Sequence, residues 1–149
     1  MHRCLISPVQ WSHPEIVLAE EEARHLRCVL RARVGDVVIL MDGQGYTAQA
    51  VIQSCSPAGV RLQLRADSRA YTPPAAVSLI LIQALPKHAA MDWIIQKACE
   101  LGVEAIWPLR SDRVISRAAR PEALAGRLAR WRKIARESIK QSGAAWLPT

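Results

Sequence analysis

Four basic residues in the first part of the sequence have side chains that could bind phosphate groups. His25, Arg27 and Arg31 fall within or just after one predicted helix, and Arg3 lies in the first predicted strand. An arginine guanidinium suits phosphate because it can donate two parallel hydrogen bonds to the phosphate oxygens. We therefore interpret these four residues as candidate contacts to nucleic acid. The alternative, that they are only solvated charges, stays open at this point.

A second basic region covers residues 110–149 and accounts for the whole net charge. It holds ten Lys and Arg against three Asp and Glu, whereas residues 1–109 hold ten of each kind; ten minus three gives the formal net charge of +7. Arg110 and Arg113 follow a predicted strand and begin the next loop. Because arginine dominates the region, nucleic acid is the favoured partner, with a solvated helix face as the alternative.

Lys87 and Gln141 are singled out by position. Lys87 follows a predicted strand and Pro86, and α/β sheets bind their ligands at the carboxyl ends of strands. Gln141 stands at the end of a predicted long helix, where it could contact a ligand or belong to a helix cap. The cysteine and histidine spacings match no metal site, so we expect no metal.

The cysteines and the hydropathy limit the class of protein. Cys99 has no histidine at helical spacing that could activate its thiol. All four cysteines are therefore predicted to be reduced core residues, namely Cys4, Cys28, Cys55 and Cys99. No apolar run approaches the roughly 18 residues that span a bilayer, and no signal peptide is recognisable. We expect a cytoplasmic protein without membrane association.

The element that must position Lys87 is a helix predicted within residues 85–103. Apolar residues recur there at helical period, namely Met91, Ile94, Ile95, Ala98 and Leu101. Gly102 stands where a left-handed C-cap belongs. Apolar runs at 77–84 and 103–109 flank the helix, so the region predicts a strand, a helix and a strand joined by a parallel crossover.

The preceding part of the chain has a different pattern. Residues 1–70 contain several short apolar segments separated by turn residues, with one helix predicted at 19–30, which is typical of a small β-barrel. Residues 71–76 include two adjacent prolines and are predicted to be a linker. Residues 77–149 are then predicted to be a second, α/β domain.

A second long helix is predicted to begin at Pro121 and to end near Gly143. Its inward face is predicted to consist of Leu124, Leu128, Trp131, Ala135 and Ser138. Residues 146–148 then look like the start of another strand. With only two or three strands, the second domain would have exposed sheet edges, which indicates an incomplete α/β fold.

Five motifs together resemble one known family. They are LPK at 85–87, MDWIIQKACELGV at 91–103, HLRCVLRARVGD at 25–36, DGQG at 42–45 and RWRKIARESIKQSG at 130–143. With these motifs the chain resembles, over nearly its whole length, the RsmE family of ribosomal RNA uridine-N(3) methyltransferases. The resemblance implies an α+β two-domain fold. An N-terminal PUA-like small β-barrel that grips RNA precedes the first part of an α/β SPOUT domain, the knotted Rossmann-like fold that holds S-adenosylmethionine.

The resemblance also implies an activity and its partners. The activity is S-adenosylmethionine-dependent methylation of a uridine N3 in 16S rRNA of the small ribosomal subunit, performed by a homodimer. RNA contact is expected from the residues already singled out, namely Arg3, His25, Arg27, Arg31, Arg110, Arg113 and Gln141. The motifs assign no catalytic residue, and Lys87 is the best candidate for one; the general base is not identified.

The sequence departs from the family pattern in two respects. Members of the family continue with a glycine-rich segment resembling GPEGG and a later loop, which form the knot and the cofactor pocket; this sequence contains neither. No cofactor-binding residue is therefore assigned, and we expect the chain as given not to bind S-adenosylmethionine. In addition, the family's QSGR is QSGA at 141–144, so the arginine expected there is replaced by Ala144.

Two other functions stay open. The chain could be a non-catalytic RNA-binding module, or an interaction protein that associates through Trp93 and its helix surfaces, with the charge incidental. RNA binding that weakens steeply with salt would separate these two, because phosphate contacts release counterions.

Overall fold

The computed structural model describes three parts of the chain, residues 1–86, 90–109 and 121–149, with side chains from residue 124 onward in the last of them. The chain divides into two compact units, here called the N-terminal unit (Met1–Pro73) and the C-terminal unit (Pro74–Thr149). Each unit is described by itself.

The N-terminal unit is built on a six-stranded sheet. Its strands are β1 (His2–Leu5), β2 (Glu15–Val17), β3 (Val37–Met41), β4 (Tyr46–Ser56), β5 (Gly59–Leu64) and β6 (Ala70–Tyr71). The hydrogen-bonded order is β1-β3-β4-β5-β2, and β6 pairs separately with β4. β1 runs parallel to β3, and the other pairs are antiparallel. Tyr71 in β6 was predicted to begin the linker, so regular structure extends one residue into that segment.

One hydrophobic core fills the N-terminal unit. The helical elements of this unit are a 3₁₀ helix (Pro8–Ser12), α1 (Glu20–Arg24) and a π-helical turn (His25–Val29). Leu26 from the π-helical turn is fully buried among alternate residues of the strands, namely Val38, Leu40, Ala50, Ile52, Val60 and Leu62. The alternation follows because successive strand side chains point to opposite faces of the sheet.

The helix predicted at 19–30 is present, but its second half is wound more widely than an α-helix. The Leu30 N–H donates to the His25 carbonyl oxygen at 3.1 Å, a bond to the fifth preceding residue. This winding could not be anticipated from the apolar periodicity. It matters because three of the predicted RNA contacts lie on or just after this turn.

The C-terminal unit contains two strands and two helices in alternation. They are β7 (Ile80–Ala84), α2 (Ala90–Glu100), β8 (Ala105–Leu109) and α3 (Pro121–Ser142). β7 and β8 pair in parallel, from Ile80 opposite Ala105 to Ala84 opposite Leu109. The predicted strand, helix and parallel strand are thus confirmed, and α3 begins at the predicted proline. None of the helices in the described ranges is long and apolar enough to cross a membrane.

A hydrogen-bonded reversal ends α2 at the predicted glycine. Gly102 has φ +75°, its N–H donates to the Cys99 carbonyl oxygen at 3.1 Å, and the Val103 N–H donates to the Ala98 carbonyl oxygen at 3.2 Å. These two bonds define a Schellman motif, in which the residue with left-handed backbone is usually glycine. The predicted C-cap is therefore confirmed.

The buried face of α2 differs from the predicted stripe at one position. Met91, Ile95 and Ala98 are buried as predicted, whereas Leu101 is 79% exposed. Leu101 lies after the last helical residue, where the chain is already turning through the Schellman motif, so the helical period no longer applies to it. Cys99 is fully buried instead.

The inward face of α3 is buried only in its second half. Ala135 and Ser138 are buried as predicted, but Leu124 and Leu128 are about two-fifths exposed, at 40% and 41%. α2 has 11 residues and α3 has 22, so at 1.5 Å per residue α2 can cover only half of α3. The helical spacing of apolar residues correctly identified the inward face of α3 but could not show how much of that face is covered by other elements.

Thr149 is hydrogen-bonded to β8 as a residue of a third strand would be. The Thr149 N–H donates to the Glu104 carbonyl oxygen at 3.1 Å, and the Ile106 N–H donates to the Thr149 carbonyl oxygen at 3.0 Å. Two bonds that straddle Ala105 in this way are the pattern of parallel pairing. Within the strand start predicted at 146–148, Trp146 forms an isolated β-bridge, and the hydrogen bonds to β8 are made by residue 149.

The cysteines are all free thiols, but not all of them belong to the core. Cys4 and Cys99 are buried as predicted, and Cys55 is half-buried. Cys28 is exposed, so the prediction of a core position is wrong there. It follows the buried Leu26 by two residues, which places it on the opposite side of the helical turn.

The backbone conformations of Gly102 and Gly126 predict opposite effects when each glycine is replaced by alanine. Gly102→Ala should lower the free energy of unfolding by about 1 kcal/mol, because a left-handed backbone is costly for any residue with a Cβ. An added Cβ meets nothing within 4 Å at Gly102 or at Gly126, which lies inside α3. Gly126→Ala should instead raise the free energy of unfolding by about 0.5 to 1 kcal/mol through helix propensity. Urea denaturation measures both, and a neutral or stabilising Gly102→Ala would contradict the backbone explanation.

Candidate nucleic-acid interface

The predicted site residues are divided between the two units and a part of the chain that is not described. Lys87, Arg110 and Arg113 lie outside the described residues. The N-terminal unit contains Arg3, His25, Arg27 and Arg31, and the C-terminal unit contains Gln141.

Arg27 makes a structural contact. Its side chain is half-buried, and Nη1 donates a hydrogen bond to the backbone carbonyl oxygen of Ser56 at 2.5 Å. This bond fastens the π-helical turn to the last residue of β4. The guanidinium retains further N–H groups that could meet a phosphate, but its position is already explained by the fold.

Arg31 is exposed and has an unusual backbone conformation. Its φ is +51°, in the left-handed region that residues with a Cβ rarely adopt. It stands at the reversal that ends the π-helical turn, where the Ala32 N–H donates to the Leu26 carbonyl oxygen at 3.1 Å. Gly102 occupies the corresponding position after α2. A residue held in a sparsely populated conformation points to a function for its side chain.

Arg3 and His25 are less accessible than Arg31. Arg3 is half-buried on β1, opposite Ile39, and its side chain or backbone is engaged in a further contact within the protein. His25 is half-buried at the start of the π-helical turn. The structure therefore keeps His25, Arg27 and Arg31 on one short segment and places Arg3 on a separate strand.

A cluster of aromatic rings around Arg69, which the sequence did not predict, lies elsewhere in the N-terminal unit. The Arg69 guanidinium carbon is 5.0 Å from the centroid of the Trp11 ring and 4.4 Å from that of Tyr46. The rings of Tyr46 and Tyr71 lie 4.7 Å apart at an angle of 44°. We call Trp11, Tyr46, Arg69 and Tyr71 the Arg69 cluster. It combines the two kinds of group that stack on nucleobases, aromatic rings and a guanidinium plane.

A buried carboxylate fixes the geometry of the Arg69 cluster. Asp42 is 7% exposed, and its Oδ2 accepts a hydrogen bond from the Trp11 indole N–H at 2.8 Å. Its Oδ1 accepts bonds from the backbone N–H groups of Gln44 at 2.7 Å and Tyr46 at 3.1 Å. The same side chain therefore sets the turn before β4 and the orientation of the indole ring.

The signal for the Arg69 cluster is weak in the sequence. The chain has two tyrosines, and both belong to the cluster. However, its residues come from three separate segments, which meet only because β6 pairs with the beginning of β4. Residue spacing along the chain does not reveal such a pairing.

In the C-terminal unit, several basic side chains are paired with acids. Lys97 Nζ lies 2.7 Å from a Glu100 carboxylate oxygen, which is an ion pair between residues one helical turn apart on α2. The hydrogen bond from Lys97 lowers the pKa of Glu100. Arg130 on α3 forms an ion pair with Asp92 on α2. The positive charge of α3 is thus partly neutralised, while Arg127 and Arg136 of the same helix are exposed.

Gln141 lies in the last turn of α3 and is exposed, although it makes a contact within the protein. Next to it, the Ser142 hydroxyl accepts a hydrogen bond from the Ala144 N–H at 3.3 Å. Ser142 therefore takes part in ending the helix. The described residues contain no group of three or more His, Cys, Asp and Glu side chains that could hold a metal ion.

The Cys99 thiol is not activated. Burial raises the pKa of Cys99 from 9.0 to about 11, because the thiolate would lose its hydration. A nucleophilic cysteine needs the opposite shift. The structural interpretation of this residue is therefore the correct one.

Two models of known families match the two parts of the chain. An RNA methyltransferase PUA domain matches residues 18–64, and an RNA methyltransferase domain matches residues 73–149. The second match alone covers just over half of the chain.

Curated relatives agree with these matches. The chain is 29% identical over 147 residues to the ribosomal RNA small subunit methyltransferase E of a Synechocystis strain, covering 99% of this chain and 46% of the relative. It is 32% identical over 130 residues to the enzyme of that name from Bacillus subtilis, covering 87% and 50%. The chain thus spans about half the length of these relatives.

Solved structures share the fold. The Neisseria gonorrhoeae ribosomal RNA small subunit methyltransferase E, solved with S-adenosyl methionine, has a TM-score of 0.79 and 29% identity, over 99% of this chain and 59% of its own. A Legionella pneumophila protein solved with bound SAM has a TM-score of 0.85 at 24% identity, over 99% of this chain and 60% of its own. At that identity the second likeness concerns the fold alone.

These matches define a class: a PUA domain of the RNA methyltransferase type followed by part of a SPOUT-type α/β methyltransferase domain, as predicted. Within that class, the chain belongs to the RNA methyltransferase family that includes ribosomal RNA small subunit methyltransferase E. The resemblance seen in the sequence motifs is thereby confirmed.

The thiols provide a test of burial in both units. Cys28 should be alkylated by iodoacetamide at pH 8 in the native state, whereas Cys99 should react only after denaturant is added. With a pKa of about 11, Cys99 is roughly 0.1% ionised at this pH. Peptide mapping by mass spectrometry measures both sites, and equal rates for the two thiols would refute the buried position of Cys99.

The same shift makes stability depend on alkaline pH. The unfolded chain releases the Cys99 proton near pH 9, while the folded chain keeps it until about pH 11. The folded state therefore holds more protons in this window, and its stability should fall as the pH rises from 9 to 11. Comparing urea midpoints with those of Cys99→Ala isolates this effect, because the substituted chain should show a smaller decline.

Proposed function

We propose that this chain is the RNA-binding part and the first methyltransferase part of an enzyme that methylates N3 of a uridine in 16S rRNA. The methyl donor is S-adenosylmethionine, and the substrate is the small ribosomal subunit or its RNA. The observation that carries the proposal is the match of both units, in order, to the two domains of RNA methyltransferases. The proposed enzyme is a cytoplasmic homodimer.

The reaction makes two demands on the protein. Transfer of a methyl group to a ring nitrogen needs alignment of donor and acceptor and removal of the nitrogen's proton. The base must also be unstacked and held by contacts to phosphates and to neighbouring bases. We assign that holding role to the N-terminal unit, with Arg31 as its best supported phosphate contact. Lys87, the candidate catalytic residue, follows β7 in the chain.

The described residues at the carboxyl ends of β7 and β8 offer the cofactor no polar side chain. Leu85 and Pro86 follow β7 and Leu109 ends β8, and the Leu85 N–H donates to the Leu109 carbonyl oxygen at 3.0 Å. These three side chains are apolar and cannot hold the ribose or the amino acid group of S-adenosylmethionine. No catalytic step is therefore derived through the cofactor.

A second function is a non-catalytic RNA-binding module, which the apolar residues at this edge favour. The two functions differ in cofactor binding. We expect isothermal titration of the 149-residue chain with S-adenosylmethionine to show no saturable heat, because the described residues at the edge offer no polar side chains. Saturable binding in the micromolar range would contradict that expectation and favour the catalytic function for the chain itself.

RNA binding through Arg31 can be separated from any effect on folding. Arg31→Gly should raise the free energy of unfolding by up to about 1 kcal/mol, because glycine adopts a positive φ without strain. If Arg31 binds a phosphate, the same change should weaken RNA binding about tenfold and reduce the salt slope by about one. Urea denaturation and fluorescence anisotropy with a labelled 16S rRNA fragment measure the two effects.

The matched control is Arg61→Gln. Arg61 is an exposed arginine on β5 whose Nη1 lies 3.4 Å from a Glu15 carboxylate oxygen, so its loss removes the same charge from a pair that is already neutralised. It should change RNA affinity less than threefold. Equal losses for both variants would mean that only the net charge matters, and salt-independent binding by the unchanged chain would favour a protein partner instead of RNA.

A further inference from the structure

We propose that the Arg69 cluster is a stacking site for an unpaired nucleobase of the RNA. The proposal rests on the proposed function, because it takes the partner to be RNA, and it adds a site that the sequence motifs do not include. Tyr71 offers the accessible ring face and Arg69 the accessible charged plane. The base would stack on Tyr71 while its neighbouring phosphate meets the guanidinium.

Accessibility is the first observation that carries the proposal. Tyr71 is 50% exposed on a strand of two residues, and Arg69 is exposed. An exposed tyrosine on its own is ordinary. Here its ring lies against Tyr46, which in turn lies under the Arg69 guanidinium, so the polarizable groups form one continuous surface. Bases stack well on such surfaces whatever their identity, because every base has a π-face.

Rigidity is the second observation. β6 is hydrogen-bonded to β4 through Tyr71 opposite Tyr46, and the Thr72 N–H donates to the Gly45 carbonyl oxygen at 2.9 Å. Before β6, the Ser68 hydroxyl accepts a hydrogen bond from the Gln49 N–H at 3.1 Å. The segment that carries Arg69 and Tyr71 is thus held on both sides, and little conformational entropy remains to be lost when a base binds.

Charge decides between an anionic and a cationic partner. Aromatic clusters can bind an ammonium group, but here the Arg69 guanidinium already lies over the rings of Trp11 and Tyr46 and would repel a second cation. Asp42, the carboxylate that is hydrogen-bonded to Trp11, is buried and accepts hydrogen bonds from three N–H groups, so little of its charge is left to attract a cation. Among the described residues Arg69 has no acidic partner, which leaves its charge available to a phosphate.

The test uses single-stranded RNA that carries 2-aminopurine, whose fluorescence falls when the base stacks. Titration of the 149-residue chain into such RNA should quench the fluorescence. Tyr71→Leu, which keeps apolar bulk but removes the π-face, should reduce the quenching and weaken RNA binding about tenfold. The salt slope should stay unchanged in Tyr71→Leu, because a stacking contact releases no counterions.

Two further variants control for damage to the fold. Tyr71→Phe keeps the ring and should restore quenching and affinity to within about twofold of the unchanged chain. Arg69→Lys keeps the charge but removes the planar group, so it should reduce quenching while its salt slope changes little. If Tyr71→Phe were as defective as Tyr71→Leu, the cluster would be a clamp for β6 and the proposal would be wrong.

The possible failures are distinguishable. RNA binding that depends on salt but is unaffected by Tyr71→Leu would overturn the stacking site and leave the proposed RNA function intact. A complete absence of RNA binding by the unchanged chain would overturn both. Loss of quenching in Tyr71→Leu together with full recovery in Tyr71→Phe supports the stacking site.

Discussion

The N-terminal unit depends on β4, which is hydrogen-bonded to three other strands. Its 11 residues pair with β3 and β5 along most of their length and with β6 at the start. Tyr46, the first residue, belongs to the Arg69 cluster, and Ser56, the last, accepts the hydrogen bond that fastens Arg27. One strand therefore positions both candidate RNA-contacting regions, at opposite ends. At about 3.3 Å per residue, an extended strand of this length separates its ends by roughly 30 Å.

The parts of the fold that follow from local chemistry were predictable from the sequence. Gly102 ends α2 because a left-handed residue is needed there, and the strands of the N-terminal unit follow from short apolar segments between turns. Features that depend on distant pairing were not predictable. The Arg69 cluster exists only because β6 returns to β4, and the exposure of Leu124 is set by the length of another helix. For Lys87 the prediction stays untested.

The two paired strands of the C-terminal unit carry apolar side chains that remain exposed. Parallel sheets are normally covered on both faces, and their strands are correspondingly apolar. Here Ile80, Ile82 and Trp107 are 42%, 59% and 54% exposed, although their strands are paired with each other. The helices described in this unit leave these side chains uncovered. Thr149 already makes parallel hydrogen bonds to β8, so the backbone of a further strand has a defined place in the sheet.

Arg31 carries more weight than its neighbours because it is a left-handed residue that follows a helical turn, a position that Gly102 and Gly143 occupy after α2 and α3. After α2 the position is taken by glycine, which needs no further explanation. After the π-helical turn it is taken by Arg31, at a cost of about 1 to 2 kcal/mol out of a typical net stability of about 5 to 15. Arg27 is retained by its bond to Ser56, but within the described part of the chain Arg31 makes no side-chain hydrogen bond or ion pair that would offset the strain. The described contacts thus give this side chain no stabilising role, and that observation supports the proposal that Arg31 binds a phosphate.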